Sequence, residues 1–189
     1  YGYDQSINRF EGTLSYVAEL NETHRLIAID NIEYKNDDDT IKEGMTEEHR
    51  LWIEDRVKEC VAQGKTPVLM AHKPLMNHMP ALIEPFSRSA EDGYNKEILG
   101  AIAKLGAKIV FAGHMHFNDV KERTVVKDEE TNSIYEVMTN SLAMYNTSYR
   151  EVKIGKKLSV KSVEMTKVKK EYLPEYLSEN DKKRIADNY

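Results

Sequence analysis

Pro67-Val-Leu-Met-Ala71 is a short apolar run with Gly64 before it and His72-Lys73-Pro74 after it, and a helix has no room between those stops. It reads as a buried strand. Upstream, Arg25-Leu-Ile-Ala-Ile-Asp30 has the same branched, apolar texture, and it leads into an acidic stretch, Asp37, Asp38 and Asp39, expected to be a solvated connection. Downstream, Lys108-Ile-Val-Phe-Ala112 is a third run of this kind. Two amphipathic helices separate the three. In the first, Thr46 offers an N-cap, Glu47 and Glu48 suit the positive end of the helix dipole, Ile53, Val57, Cys60 and Val61 share a face, and Gly64 supplies the stop. In the second, which follows a loop carrying Pro80, Pro85 and Gly93, Asn95 is the expected cap. There Ile98, Ile102 and Leu105 form the stripe, Tyr94 and Leu99 a hydrophobic staple, and Gly106 the end. Strand, helix, strand, helix, strand is the order of two crossover units, so an α/β fold with mostly parallel strands is expected.

Beyond residue 118 the pattern changes to hairpins. Val120 to Val126 and Ile134 to Thr139 flank one polar turn, and Glu151 to Ile154 and Leu158 to Met165 flank Gly155-Lys156-Lys157. The apolar phase shifts between Val160 and Val163, which predicts a bulge. Leu173 to Asn188 reads as one short helix.

The 189 residues carry 27 Lys and Arg against 32 Asp and Glu. Residues 1–149 are acidic at −9 and residues 150–189 basic at +4. An acidic body argues against nucleic acid as a partner, because phosphate neutralisation needs clustered cations, and the basic end is interleaved with Glu and Asp like a solvated surface. No run approaches the roughly 18 apolar residues of a membrane span. Cys60 is the single cysteine, so neither an internal disulfide nor a cysteine-based zinc cluster is available. Trp52 and Cys60 are expected in the core.

Two of the three central strands run into histidine, at His72 and at Gly113-His114. Ligands collect outside the carboxyl ends of strands in open α/β sheets, so both rings fall where a site is expected. Gly113 would let the chain turn close to a ligand. His116 follows two residues after His114, and in an extended segment the two rings would point the same way. Three imidazoles suit a borderline transition metal such as Zn, Mn or Fe.

His72-Lys-Pro-Leu75 together with Gly113-His-Met-His116 resembles the second half of the calcineurin-like metallophosphoesterase family. The texture around Tyr1-Gly-Tyr-Asp-Gln5, Leu14-Ser-Tyr16 and Thr139-Asn-Ser-Leu142 is similar to a bacterial branch related to class III cyclic-nucleotide phosphodiesterases. That resemblance implies a β-sandwich flanked by helices, a phosphoester small-molecule substrate and two divalent metal ions (Mn, Fe or Zn). It implies a phosphodiesterase or phosphatase in which a metal-activated hydroxide attacks phosphorus in line. By motif position His72 and His114 would bind one metal and His116 the other, and His78 is a candidate to line the substrate pocket. Residues 1–166 would be the C-terminal part of the catalytic domain. Residues 167–189 would be a helical tail or the start of a C-terminal helical domain.

The family's earlier motifs, Asp-x-His, Gly-Asp and Gly-Asn-His, do not occur in these 189 residues. Asn77-His78 lacks the preceding Gly and follows His72 instead of preceding it. The chain therefore reads as the C-terminal half of a catalytic domain, inactive alone, holding one metal or none, with the N-terminal half of the same domain as its missing partner. An exposed sheet face or edge would then favour self-association. Any export signal would lie upstream of Tyr1, so cytoplasmic and exported locations are equally open. Two alternatives stand beside this: a non-catalytic interaction module or structural metal-binding domain, and a single-zinc hydrolase on the three histidines with Asp119 as base. His24, before a strand, and His49, in a helical first turn, are expected to face solvent.

Overall fold

The computed structural model describes residues 3–34, 41–43, 45–78, 94–144, 147–155 and 157–188. Two units make up the chain, Tyr1–Met138 and Thr139–Tyr189.

The first unit holds β1 (Asn8–Arg9), β2 (Tyr16–Glu19), β3 (His24–Ile29), β4 (Ile32–Tyr34), β5 (Ile41–Glu43) and α1 (Glu47–Ala62). It continues with β6 (Thr66–Ala71), α2 (Tyr94–Lys104), β7 (Ile109–Ala112), β8 (Asp119–Lys127) and β9 (Glu130–Met138). Seven of these strands form one sheet in the order β1-β2-β3-β6-β7-β9-β8. The three apolar runs are its neighbours β3, β6 and β7, and they pair in parallel as their crossover helices require. β9 adds a further parallel strand beside β7, while β2 and β8 run antiparallel to their partners. β4 and β5 make a separate hairpin where a wholly irregular connection was expected; Asp37, Asp38 and Asp39 lie outside the described residues.

All six residues of β3 are buried, as a continuous apolar strand demands. On one face Ile27, Ile29, Leu69 and Val110 meet Ile53 and Val57 of α1 and Ile98 and Ile102 of α2 in a single core. On the other, Tyr16, Ala18, Leu26 and Ala28 form a smaller cluster under Tyr3 and Leu20. The Thr46 hydroxyl accepts the His49 N–H at 3.2 Å and caps α1. At the other end Gly64 takes φ +72°, and Lys65 N–H reaches back to the Cys60 carbonyl, so the glycine stop is a left-handed one. Val61, expected on the buried face, is exposed, because in this last turn it sits at the rim of the stripe. α2 begins at Tyr94, which places Asn95 inside the first turn. The Tyr94 side chain, which the staple needs, is not described, and the loop with Pro80, Pro85 and Gly93 lies outside the described residues. The β8–β9 ladder is unbroken from Asp119–Met138 to Lys127–Glu130, and Asp128 and Glu129, both at positive φ, supply its tight turn.

His24 and His49 do not face solvent. His24 is 6% exposed and bonds through Nδ1 to Thr23 Oγ1, and His49 is 3% exposed. His49 lies on the buried stripe of α1 one turn before Ile53 and Val57.

The second unit contains β10 (Ser148–Ile154), β11 (Leu158–Glu164), a 3-10 turn at Lys170–Tyr172 and α3 (Glu179–Asn188). Its hairpin is paired without interruption from Ser148–Glu164 to Ile154–Leu158, so the bulge expected between Val160 and Val163 is absent. Ser162 occupies the position that a strict alternation would have given to an apolar residue. α3 starts only at Glu179. Pro174 keeps Leu173 extended, and Ser178 caps the helix by accepting the Asp181 N–H at 3.1 Å. Among the described residues no helix is long and apolar enough to cross a membrane.

Candidate functional site

Parallel register brings the strand ends level. Ile29 stands beside Ala71 and Met70 beside Phe111, so Asp30-Asn31, His72-Lys73 and Gly113-His114 emerge along one edge of the sheet. There the Gly113 N–H donates to the His72 carbonyl at 3.1 Å, extending the β6–β7 pairing one step past the strands. The two exposed imidazoles meet as a result: His114 Nδ1 is 3.2 Å from His72 Nε2, with ring centroids 5.0 Å apart.

The turn after β7 is not made by its glycine. Gly113 has no left-handed φ, and a Cβ there would meet only the His72 carbonyl, at 3.8 Å. The left-handed conformations belong instead to His114 (φ +68°) and His116 (φ +58°). Such a conformation costs a non-glycine residue roughly 1–3 kcal/mol and concentrates at functional sites. Because the segment is not extended, the expectation that His114 and His116 present their rings side by side loses its basis. Among the described residues no group of three or more His, Cys, Asp or Glu is placed to hold a metal. The pair His72 and His114 is brought together; His116 is not added to it.

Two nitrogens each about 2.0–2.1 Å from one ion, at an angle of about 100°, stand about 3.2 Å apart. The observed His72–His114 separation matches that span, so the donor set fits one cation as a two-nitrogen half-site. It does not fit a second cation. Without metal, one ring N–H can donate to the other ring's lone pair across the same distance.

The loop that carries His72 is held by side chains the sequence did not single out. Asn31, 2% exposed, donates from Nδ2 to the Lys73 carbonyl at 2.9 Å and accepts the Lys73 N–H at 3.2 Å. Glu136, fully buried on β9, accepts the N–H groups of Leu75 and Met76, each at 2.6 Å. His78 lies between two carboxylates, with Nδ1 2.7 Å from Asp119 and Nε2 3.1 Å from Glu136, and its side chain is wholly enclosed. Burial lowers the pKa of His78, but the bonds to Glu136 and then Asp119 outweigh it and raise the net value above the ordinary imidazole range. Thus His78 is engaged at both ring nitrogens, and Asp119, weighed above as a base for a single zinc, is the partner of one of them.

His49 does different work. Ser15 Oγ accepts the Asp30 N–H at 2.8 Å, which leaves the hydroxyl proton for His49 Nε2 at 2.7 Å, and the ring stacks on Phe10. Burial pushes His49 below the usual imidazole value, against the pull of Asp30. The two histidines therefore give opposite pH dependences. For His49 the unfolded chain takes the proton first, so stability falls as pH drops below about 6.5. For His78 the contribution is complete below about 6.5 and fades as pH rises through its higher folded value. Urea midpoints measured from pH 5 to 8 should show wild type losing its advantage over His49→Gln on the acid side. Relative to His78→Gln it should lose its advantage on the alkaline side. Parallel curves for all three proteins would contradict both assignments.

No protein-family model and no curated protein matches the sequence. Among solved structures, a dimetal phosphatase from Danio rerio superposes with a TM-score of 0.57 at 9% identity, over 79% of this chain and 57% of that one. The chain thus spans just over half the length of the phosphatase, and the likeness is one of fold: a metallophosphoesterase-like α/β architecture.

Proposed function

We propose that the chain is part of a metal-dependent phosphoester hydrolase in which His72 and His114 hold one divalent cation and His116 belongs to the second position. The observation that carries this reading is the facing ring-nitrogen pair at the carboxyl ends of adjacent parallel strands. Support comes from the fold shared with a dimetal phosphatase and from the left-handed backbone at both His114 and His116.

Bound divalent cations supply a lowered pKa for water and positive charge opposite the phosphoryl oxygens. The chain's own residues present two imidazole nitrogens, hold them on level strand ends, and keep the rings exposed to an anionic ester. The net acidity of the chain is compatible with such a substrate because the cations dominate the local field. The family's earlier motifs Asp-x-His, Gly-Asp and Gly-Asn-His are absent from these 189 residues, so we place the remaining ligands in sequence outside them. The branch related to class III cyclic-nucleotide phosphodiesterases makes a phosphodiester the substrate to try first.

A chromogenic phosphodiester with added Mn²⁺ tests this. The 189 residues alone are expected to give no turnover. A chain that joins them to a segment carrying the three motifs is expected to turn over in a Mn²⁺-dependent manner, with activity lost in His72→Ala and in His114→Ala. Turnover retained in both variants would remove the assignment.

A further inference from the structure

We infer that Glu136 is a positioning residue for His72: with His78 and Asp119 it ties the loop after β6 to the β8–β9 hairpin and so sets the separation of the two ring nitrogens. The inference rests on the metal reading only for its effect on cation affinity.

The geometry is that of a strap with three anchor points. Glu136 occupies a core-facing position on β9 between Ile134 and Met138, where an apolar residue would be the default, and it is fully buried. A carboxylate there has no water to satisfy it, and its partners are the backbone N–H groups of Leu75 and Met76, three and four residues after His72. His78 bridges the same carboxylate to Asp119, the first residue of β8 and three residues after His116. The Lys121 ammonium, opposite Glu136 in the β8–β9 register, adds a bond to the Asn77 carbonyl. Each loop that bears a histidine is thereby fastened to one rigid hairpin. On the near side Asn31 fixes Lys73, and the Gly113 N–H fixes the His72 carbonyl. With both ends held, the backbone that carries the His72 ring has one place to be. If Glu136 loses its charge, as in Glu136→Gln, one of its two acceptor oxygens becomes an NH2 donor facing a buried N–H, and the loop must move to find that group another acceptor.

None of these groups donates to a cation, so the effect is that of a supporting partner, for which losses of about 10–100-fold in metal affinity are typical. The test uses Glu136→Gln and, because a substitution at a fully buried site can unfold the chain, the milder Asp119→Asn at the half-exposed end of the strap. Co²⁺ titration followed by its visible absorbance reads affinity and ligand geometry. In the metal-free chain, the NOE between the His72 and His114 rings and the hydrogen exchange of the Leu75 and Met76 amides read position. The expected result is a folded variant that binds Co²⁺ about 10–100-fold more weakly, with a weakened ring–ring NOE and, in Glu136→Gln, at least tenfold faster exchange at one or both amides. A folded Glu136→Gln with the NOE and exchange of wild type overturns the positioning role, and where that variant does not fold, a folded Asp119→Asn with the NOE of wild type does so. Wild-type protein that shows the ring–ring NOE but no Co²⁺ binding overturns the metal reading alone, and the metal-free signals still decide the role of Glu136.

Discussion

His72→Ala and His114→Ala are each expected to remove divalent cation binding from the 189-residue chain while leaving its fold intact. Each ring is exposed, so its loss takes away little packing. What it takes away is half of the donor pair. A single imidazole is a weak ligand in water, so the loss in affinity should exceed the roughly 10–100-fold typical of a disturbed supporting partner. Isothermal titration with Zn²⁺ and Mn²⁺ measures the loss, and far-UV circular dichroism checks the fold. His116→Ala should leave binding by these residues unchanged, because the structure does not add its ring to the pair. An equal loss in His116→Ala would show that all three histidines hold one ion, the geometry of the single-zinc alternative.

Ile53→Ala is the substitution expected to cost the most stability. Ile53 is completely buried on α1, in the core shared with Val17, Leu69 and Ile98, and its removal leaves a cavity between helix and sheet that a close-packed core has little freedom to close. Such truncations cost about 2–5 kcal/mol. For a chain of this size the midpoint of thermal unfolding should fall by about 10 °C. Leu51→Ala on the exposed side of the same helix should change it by less than about 2 °C. Differential scanning calorimetry separates the two, and equal shifts would mean that α1 does not pack as described.

The sequence made β3, β6 and β7 readable because the core face of each has no room for a polar residue, and α1 because Thr46 and Gly64 mark its two ends. Where burial is weaker, the pattern misleads. β10 and β11 form a two-stranded sheet of their own in which no residue of β11 is fully buried, so the shift from Val160 to Val163 records loose selection on facing and not a bulge. His49 was readable in principle: it precedes Ile53 and Val57 at a spacing of four, on the buried stripe. Glu136 was too, since Ile134, Glu136 and Met138 alternate on the core face and a carboxylate at such a position must have partners. Nothing in a single sequence flags Asn31, whose bonds depend on the register of β3 against β6. The His72–His114 pair was legible because it needs only two strands to end level. The failure to bring in His116 was not, because it turns on the positive φ angles at His114 and His116.

The central claim is that His72 and His114 form one cation half-site at the carboxyl edge of the sheet, and Mn²⁺ titrated at substoichiometric levels into labelled protein tests it most directly. Paramagnetic broadening should appear first at the ring resonances of His72 and His114 and at the backbone amide of Gly113, with the His78 and His49 rings later to broaden. Broadening centred on any other residues, with the His72 and His114 rings left sharp, would contradict it.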